Sequence, residues 1–118
     1  LGEKSFIDKK CLIDFSGELK IGSNVTISEY VMIETHTHGF NPRDKAEKKP
    51  LVIENDVWIG AHAIILPSVN IIGKNSIVGA GSIVTKDVNS FSIIAGNPAK
   101  HIKDVPKWIF PSGILFGD

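Results

Sequence analysis

The 118-residue sequence predicts an all-β chain wound as a solenoid of six-residue units, and two observations carry that prediction. An aliphatic residue recurs at every sixth position: Ile7 and Ile13, then Ile21, Ile27 and Ile33, then Ile53, Ile59 and Ile65, then Ile72, Val78 and Val84. A small or β-branched residue stands near the fifth position of many units, as at Val25, Val31, Val57, Ala63 and Ser82. A helix repeats about every 3.6 residues and a lone strand about every 2, so a sustained period of six belongs to neither. Such units bury their anchors only by stacking on neighbouring circuits, which fixes the architecture.

Taken in order, three six-residue faces make one circuit. Each face is a short parallel strand whose anchor points inward. Ile7 and Ile13 open the series, and a two-residue offset at Asp14 precedes Ile21. The residue after the anchor is often small or acidic, as at Asp8, Asp14, Gly22, Glu54, Gly60, Gly73 and Gly79. Gly there is expected to supply the positive φ that bends between faces require, with Asn24, Asn55 and Asn75 as the next most tolerant residues.

The largest break separates Ile33 from Ile53, and the segment 34–52 is expected to project as a loop. It holds His36 and His38, two of the four histidines, together with Pro42, Pro50 and a run of charge. A solvated excursion would explain the charge run alone. Two histidines beside a rigid repeat make this loop the candidate site. After Ile65 the count slips by one residue to Ile72 and regular spacing ends at Val84-Thr85. Coils are expected over about 5–94 and a cap over 95–118, with Trp108, Phe110 and Phe116 covering the open end. The length fits one domain, 1–118.

Thirteen basic residues balance thirteen acidic ones, which argues against nucleic acid or an anionic membrane as the main partner. No apolar run reaches the length of a membrane span, and the charged start, Leu1 to Lys10, has no signal-peptide core. Cys11 stands alone, which fits a reducing compartment and a cytoplasmic protein. The first residue is Leu rather than Met, so a processed or partial chain is an open reading.

Several motifs then occur in order: Asn55-Asp-Val-Trp-Ile-Gly60, Ile64-Ile-Leu-Pro67, Val78-Gly-Ala-Gly-Ser-Ile-Val-Thr-Lys-Asp87 and Ala95-Gly-Asn-Pro-Ala-Lys100. Together they resemble the hexapeptide-repeat acetyltransferases, above all the sugar O-acetyltransferases of maltose and galactoside type and their polysaccharide-decorating relatives. The resemblance covers about residues 5–103. It implies a left-handed parallel β-helix, a homotrimer, acetyl-coenzyme A as donor, a sugar acceptor and sites in the clefts between subunits.

That chemistry needs a base, because a sugar hydroxyl is a poor nucleophile until its proton is removed, and histidine suits the task. The family pattern places the catalytic histidine five residues after Ile33, at His38, with Asn41-Pro42 following. His36 is the second choice, in catalysis or in substrate contact. Asp14 matches a residue that holds sugar hydroxyls in relatives, although a corner hydrogen bond explains it equally well. Glu34 is a candidate to orient a histidine, and Asn41 and Arg43 are candidates for acceptor contacts.

For the donor, family positions set Trp58, Gly60, Ala61, Gly79, Ala80 and Thr85 beside the pantetheine arm. Lys86, Lys100 and Lys103 are placed to meet its phosphates, and an N–H at the Gly60-Ala61 corner to meet an oxyanion. His62 and His101 read as outward or exposed residues, and no metal is expected. Three alternatives stand beside this reading: N-acetylation of an amino or nucleotide sugar, a γ-type carbonic anhydrase using His36, His38 and His62, and a non-catalytic scaffold.

Overall fold

The computed structural model describes residues 1–106, and among them every regular element is a strand. The expected cap aromatics Trp108, Phe110 and Phe116 lie outside the described residues. The first circuit is β1 (Phe6–Ile7), β2 (Leu12–Ile13) and β3 (Leu19–Ile21). The second is β4 (Thr26–Ile27), β5 (Met32–Ile33), an inserted hairpin of β6 (His36–Thr37) and β7 (Glu47–Lys48), and then β8 (Leu51–Ile53). β9 (Trp58–Ile59), β10 (Ile64–Ile65) and β11 (Ile71–Ile72) form the third; β12 (Ile77–Val78) and β13 (Ile83–Val84) begin the fourth. Val88 closes that circuit through a bridge to Ile72. β14 (Ser92–Gly96) starts a fifth, and β15 (Ala99–Asp104) turns back antiparallel to it.

Strands one circuit apart pair in parallel, giving three sheets in the orders β1-β4-β9-β12-β14-β15, β2-β5-β10-β13 and β3-β8-β11. The register explains the six-residue period. Ile27, Ile59, Val78 and Ile94 align in the first sheet, Ile33, Ile65 and Val84 in the second, and Ile21, Ile53 and Ile72 in the third. These anchors are buried, and so are the fifth-position residues Val25, Val31, Val57, Ala63 and Ser82. Each fully buried aliphatic contributes about 1.5–3 kcal/mol, so the two series together are the core.

Three expectations change. Leu51 and Val52 belong to β8 rather than to the loop, and Leu51 is buried, so the excursion spans 34–50 and is itself clasped by the antiparallel β6–β7 pair. Beyond Thr85, where the regular spacing ends, Val88 and β14 still pair on the circuit below; residues 95–104, assigned to a cap, instead form the end of that last parallel strand and the antiparallel β15.

The third change concerns the glycines that follow anchors: they are not the left-handed residues. Two columns of side-chain-bearing residues hold that conformation: Lys4, Asn24, Asp56, Asn75 and Phe91, and Lys10, Tyr30 and His62 with Gly81. Gly60 serves close approach instead, since a Cβ there would lie 2.7 Å from the Ala80 amide nitrogen of the next circuit.

Candidate active site

The hairpin that interrupts the second circuit carries both loop histidines. Its base is locked to the circuit below by Asp14. One carboxylate oxygen of Asp14 accepts from His36 Nδ1 at 2.5 Å, from the Thr35 amide at 2.9 Å, from Thr35 Oγ1 at 3.2 Å and from Ser16 Oγ at 3.0 Å. The other oxygen accepts the Ser16 amide at 2.9 Å. Burial pushes the Asp14 carboxyl up, but the hydrogen bonds from His36, Ser16 and Thr35 outweigh it and hold the group well below the usual carboxylate range. Thr35 is fully buried, and its hydroxyl also accepts the Gly17 amide at 2.9 Å. Gly17 has no room for a side chain, since a Cβ would lie 2.4 Å from the Thr35 carbonyl oxygen.

The two histidines are fixed in the same tautomer by different partners. His38 Nδ1 lies 2.7 Å from the Asp44 carbonyl oxygen, which can only accept, so Nδ1 carries the proton and Nε2 has the free lone pair. The ionised Asp14 carboxylate imposes the same arrangement on His36. The rings meet edge to face with centroids 5.4 Å apart. Among the described residues neither Nε2 has a protein partner.

The structure therefore brings together three sequence candidates, Asp14, His36 and His38. It gives Glu34 a different place: its side chain reaches neither histidine, and the group that orients His36 is Asp14. Glu34 and Asp14 border a shallow depression of about 260 Å³ with Leu12 and Met32. Asn41 Oδ1 accepts the Arg43 amide at 3.0 Å, and the Asn41 carbonyl accepts the Asp44 amide, so Asn41 shapes the turn that presents the Asp44 carbonyl to His38. Arg43 is exposed on that turn.

Sequence reasoning missed Ser16, Thr35 and Asp44. Ser16 and Thr35 are ordinary polar residues until the circuits stack, and Asp44 acts through its backbone, which leaves no side-chain signature.

The donor candidates gather elsewhere. Trp58, Gly60, Ala61, Gly79 and Ala80 line one groove of about 380 Å³ at the corner that follows β9 and β12, completed by Asp8, Ser28 and Glu29. Trp58 is half-exposed and its Nε1–H donates to Ser28 Oγ at 3.0 Å, which fixes the indole along the groove. The Gly60 amide is spent on the Val78 carbonyl at 2.8 Å, whereas the Ala61 amide has no bond among the described residues. Of the two corner amides, only Ala61 is available to an incoming oxygen.

Thr85 lies beyond the groove, and its carbonyl accepts Ser68 Oγ. Lys86 borders a separate cavity of about 190 Å³ with Asp87 and His101, while Lys100 and Lys103 are exposed on β15. His62 is exposed and stacks on Tyr30 with centroids 4.9 Å apart, and His101 pairs with Asp104 at 2.9 Å. Among the described residues no group of three or more His, Cys, Asp and Glu side chains could hold a metal ion. Among the described residues no helix is long and apolar enough to cross a membrane.

Residues 50–86 match the family described as the hexapeptide repeat of succinyl-transferase. The chain is 41% identical over 85 residues to a galactoside O-acetyltransferase of Lactococcus lactis, an alignment spanning 69% of this chain and 41% of that protein. It is 30% identical over 129 residues to the galactoside O-acetyltransferase of Escherichia coli, spanning 89% of this chain and 63% of the relative.

Among solved structures, a maltose O-acetyltransferase from Clostridium difficile superposes with a TM-score of 0.83 at 34% identity, covering 89% of this chain and 58% of that one. A galactoside acetyltransferase in complex with coenzyme A superposes equally well, with a TM-score of 0.83 at 33% identity over 90% of this chain and 55% of that one. The chain spans about half the length of the curated relatives it matches. With its repeats in register, the chain carries the hexapeptide repeat over residues 50–86 and is similar along most of its length to sugar O-acetyltransferases built on that repeat.

Proposed function

We propose that the chain is the core of an acetyl-coenzyme A-dependent O-acetyltransferase acting on a sugar or saccharide hydroxyl. The observation that carries this reading is the His38 Nδ1–Asp44 carbonyl bond, which leaves Nε2 as a fixed proton acceptor at the base of the hairpin. Bound acetyl-coenzyme A would supply the activated acetyl group. Trp58, Gly60, Ala61, Gly79 and Ala80 fit its narrow pantetheine arm, because their groove is open, largely apolar and floored by small residues. His38 Nε2 takes the acceptor hydroxyl proton during attack and then returns it to the departing thiolate. The Ala61 N–H is the donor left over for the oxygen that gains charge. Thr85, Lys86, Lys100 and Lys103 serve the phosphate end. His36, Glu34 and Arg43 face the acceptor, Asp14 acts through His36, and Asn41 acts by shaping the His38 turn.

A circuit wound as a left-handed parallel β-helix, in one domain, fits the three-sheet rotation and the relatives. The two halves of the site leave different corners of one chain. The histidines follow β5, the groove follows β9 and β12, and the sheet β2-β5-β10-β13 lies between them. A homotrimer closes the site by setting the hairpin of one copy against the groove of the next. The free thiol of Cys11 suits a reducing, cytoplasmic setting.

His38→Ala is the direct test. It should lower kcat by roughly 10²–10⁴-fold and leave coenzyme A affinity nearly unchanged, whereas His36→Ala should act mainly on the acceptor KM. The reverse ranking would make the Asp14–His36 pair the base and overturn the assignment.

A further inference from the structure

A single general base needs one free imidazole nitrogen, and this site presents two. Both histidines have Nδ1 committed to an oxygen that can only accept, Asp14 Oδ2 for His36 and the Asp44 carbonyl for His38. In the neutral state each ring is therefore an obligate hydrogen-bond acceptor at Nε2. The rings are not free to drift apart. His36 is tied to the circuit below by a contact that Ser16 and Thr35 brace from either side, and His38 by the turn that Asn41 shapes. They stand perpendicular, 5.4 Å between centroids. Acceptors carried on two rings that close suit a pair of hydroxyl donors on neighbouring atoms, each reaching its nitrogen at roughly 2.8 Å.

We infer that the site selects acceptors bearing a vicinal diol: His38 deprotonates the hydroxyl that is acetylated, and His36 accepts a hydrogen bond from its neighbour. The inference rests on the acetyl-transfer reading for the first hydroxyl but not for the second, which is a matter of recognition alone. A site built to receive a hydroxyl discriminates against an analogue lacking it, because the polar group waiting for it is left unpaired. Buffers of ordinary alcohols would then be poor acceptors, and a sugar whose neighbouring hydroxyl is removed or already acylated would be refused. His36 thereby becomes a specificity residue with a defined chemical target.

The test uses the full chain with two probes, cis-cyclohexane-1,2-diol and cyclohexanol. In protein labelled with ¹⁵N at histidine, the diol should shift the Nε2 resonances of His36 and His38 together, and cyclohexanol should shift only one. In transfer assays the diol should exceed cyclohexanol in kcat/KM by tenfold or more, well above the about twofold that two equivalent hydroxyls give by statistics; tenfold corresponds to about 1.4 kcal/mol. In His36→Ala the ratio should fall to that statistical level, and in His36→Gln, whose amide oxygen can still accept, it should partly recover.

A diol that moves only one imidazole, or a ratio in the unmodified protein no greater than twofold, overturns the inference. So does failure of either imidazole to respond to either alcohol. Joint movement of both imidazoles without transfer to any alcohol supports diol recognition and sinks the acetyltransferase reading. The resonance experiment needs no variant, so a His36→Ala protein that fails to fold leaves the decision intact.

Discussion

Replacing Asp14 by Asn is the sharpest perturbation of this site, because it changes one atom and leaves the shape alone. Asn retains an acceptor for the Ser16 amide, but its Nδ2 now faces His36 Nδ1–H and the Thr35 amide, so donors meet a donor. The bond from His36 to a carboxylate is worth about 1.5–3 kcal/mol, and leaving the buried Thr35 amide unpaired costs about 1–3 kcal/mol more. Asp14 keeps 24% of its side chain exposed, so solvent screening favours the lower half of the sum. The expected loss is roughly 2.5–4 kcal/mol, a large part of the about 5–15 kcal/mol that holds a typical domain together.

The loss should also depend on pH. The folded-state pKa of Asp14 is depressed below its ordinary value of 3.8, so the native state binds fewer protons than the unfolded chain in the acid range. The carboxylate's contribution is present above that value and is lost as pH falls below it. Urea unfolding of both proteins at one fixed protomer concentration is the assay, since association would shift apparent stability. The gap should be full near pH 7 and narrow progressively below about pH 4. A gap under about 0.5 kcal/mol at neutral pH, or one that does not shrink on acidification, would refute the reasoning.

Further outcomes follow from the same geometry. Ala80→Tyr places a phenol ring in the groove without touching the anchors Val78 and Val84; it should leave the fold intact and weaken acetyl-coenzyme A binding at least tenfold by calorimetry. Co-expression of His38→Ala with Ala80→Tyr should restore about a quarter of the activity if each site borrows its base from one copy and its groove from the next, since both choices are right half the time. No recovery would mean that one chain holds the whole site. Gly17→Ala should cost about 1–3 kcal/mol in urea unfolding, because its Cβ would press on the Thr35 carbonyl at 2.4 Å.

The core was legible because it is periodic. Every anchor from Ile21 to Val84 that the six-residue count picks out is buried, since each inward residue stacks on its equivalent one circuit away. The reason for the glycines was not legible. Whether Gly60 bends the chain or merely admits its neighbour depends on where Ala80 lies, which spacing along the chain does not report. The loop limits were misread by two residues because Leu51 and Val52 continue a strand whose partners, in β3, lie 32 positions earlier in the chain.

In the site, His36 and His38 stand out as paired histidines in an insertion. The partner of His36 is 22 residues away across an irregular offset, and the partner of His38 is a carbonyl, which any residue could have offered. The Tyr30–His62 stack, by contrast, was within reach, because both residues stand three places after an anchor of the same column, Ile27 and Ile59.

A chain built by laying one circuit on the next contains no internal reason to stop. Its top surface offers the same parallel template as its bottom, and a second copy could extend it into a fibre. The reversal at Gly96 removes that template from the longest sheet. β15 runs against β14 with a shift in register between Ile93 and Ile94, and its outer edge carries Lys100, His101, Lys103 and Asp104. An incoming parallel strand would meet the wrong polarity and a row of charge, both of which discourage edge-to-edge growth. In this sheet the last described strand thus ends the parallel ladder and discourages growth along the stacking direction.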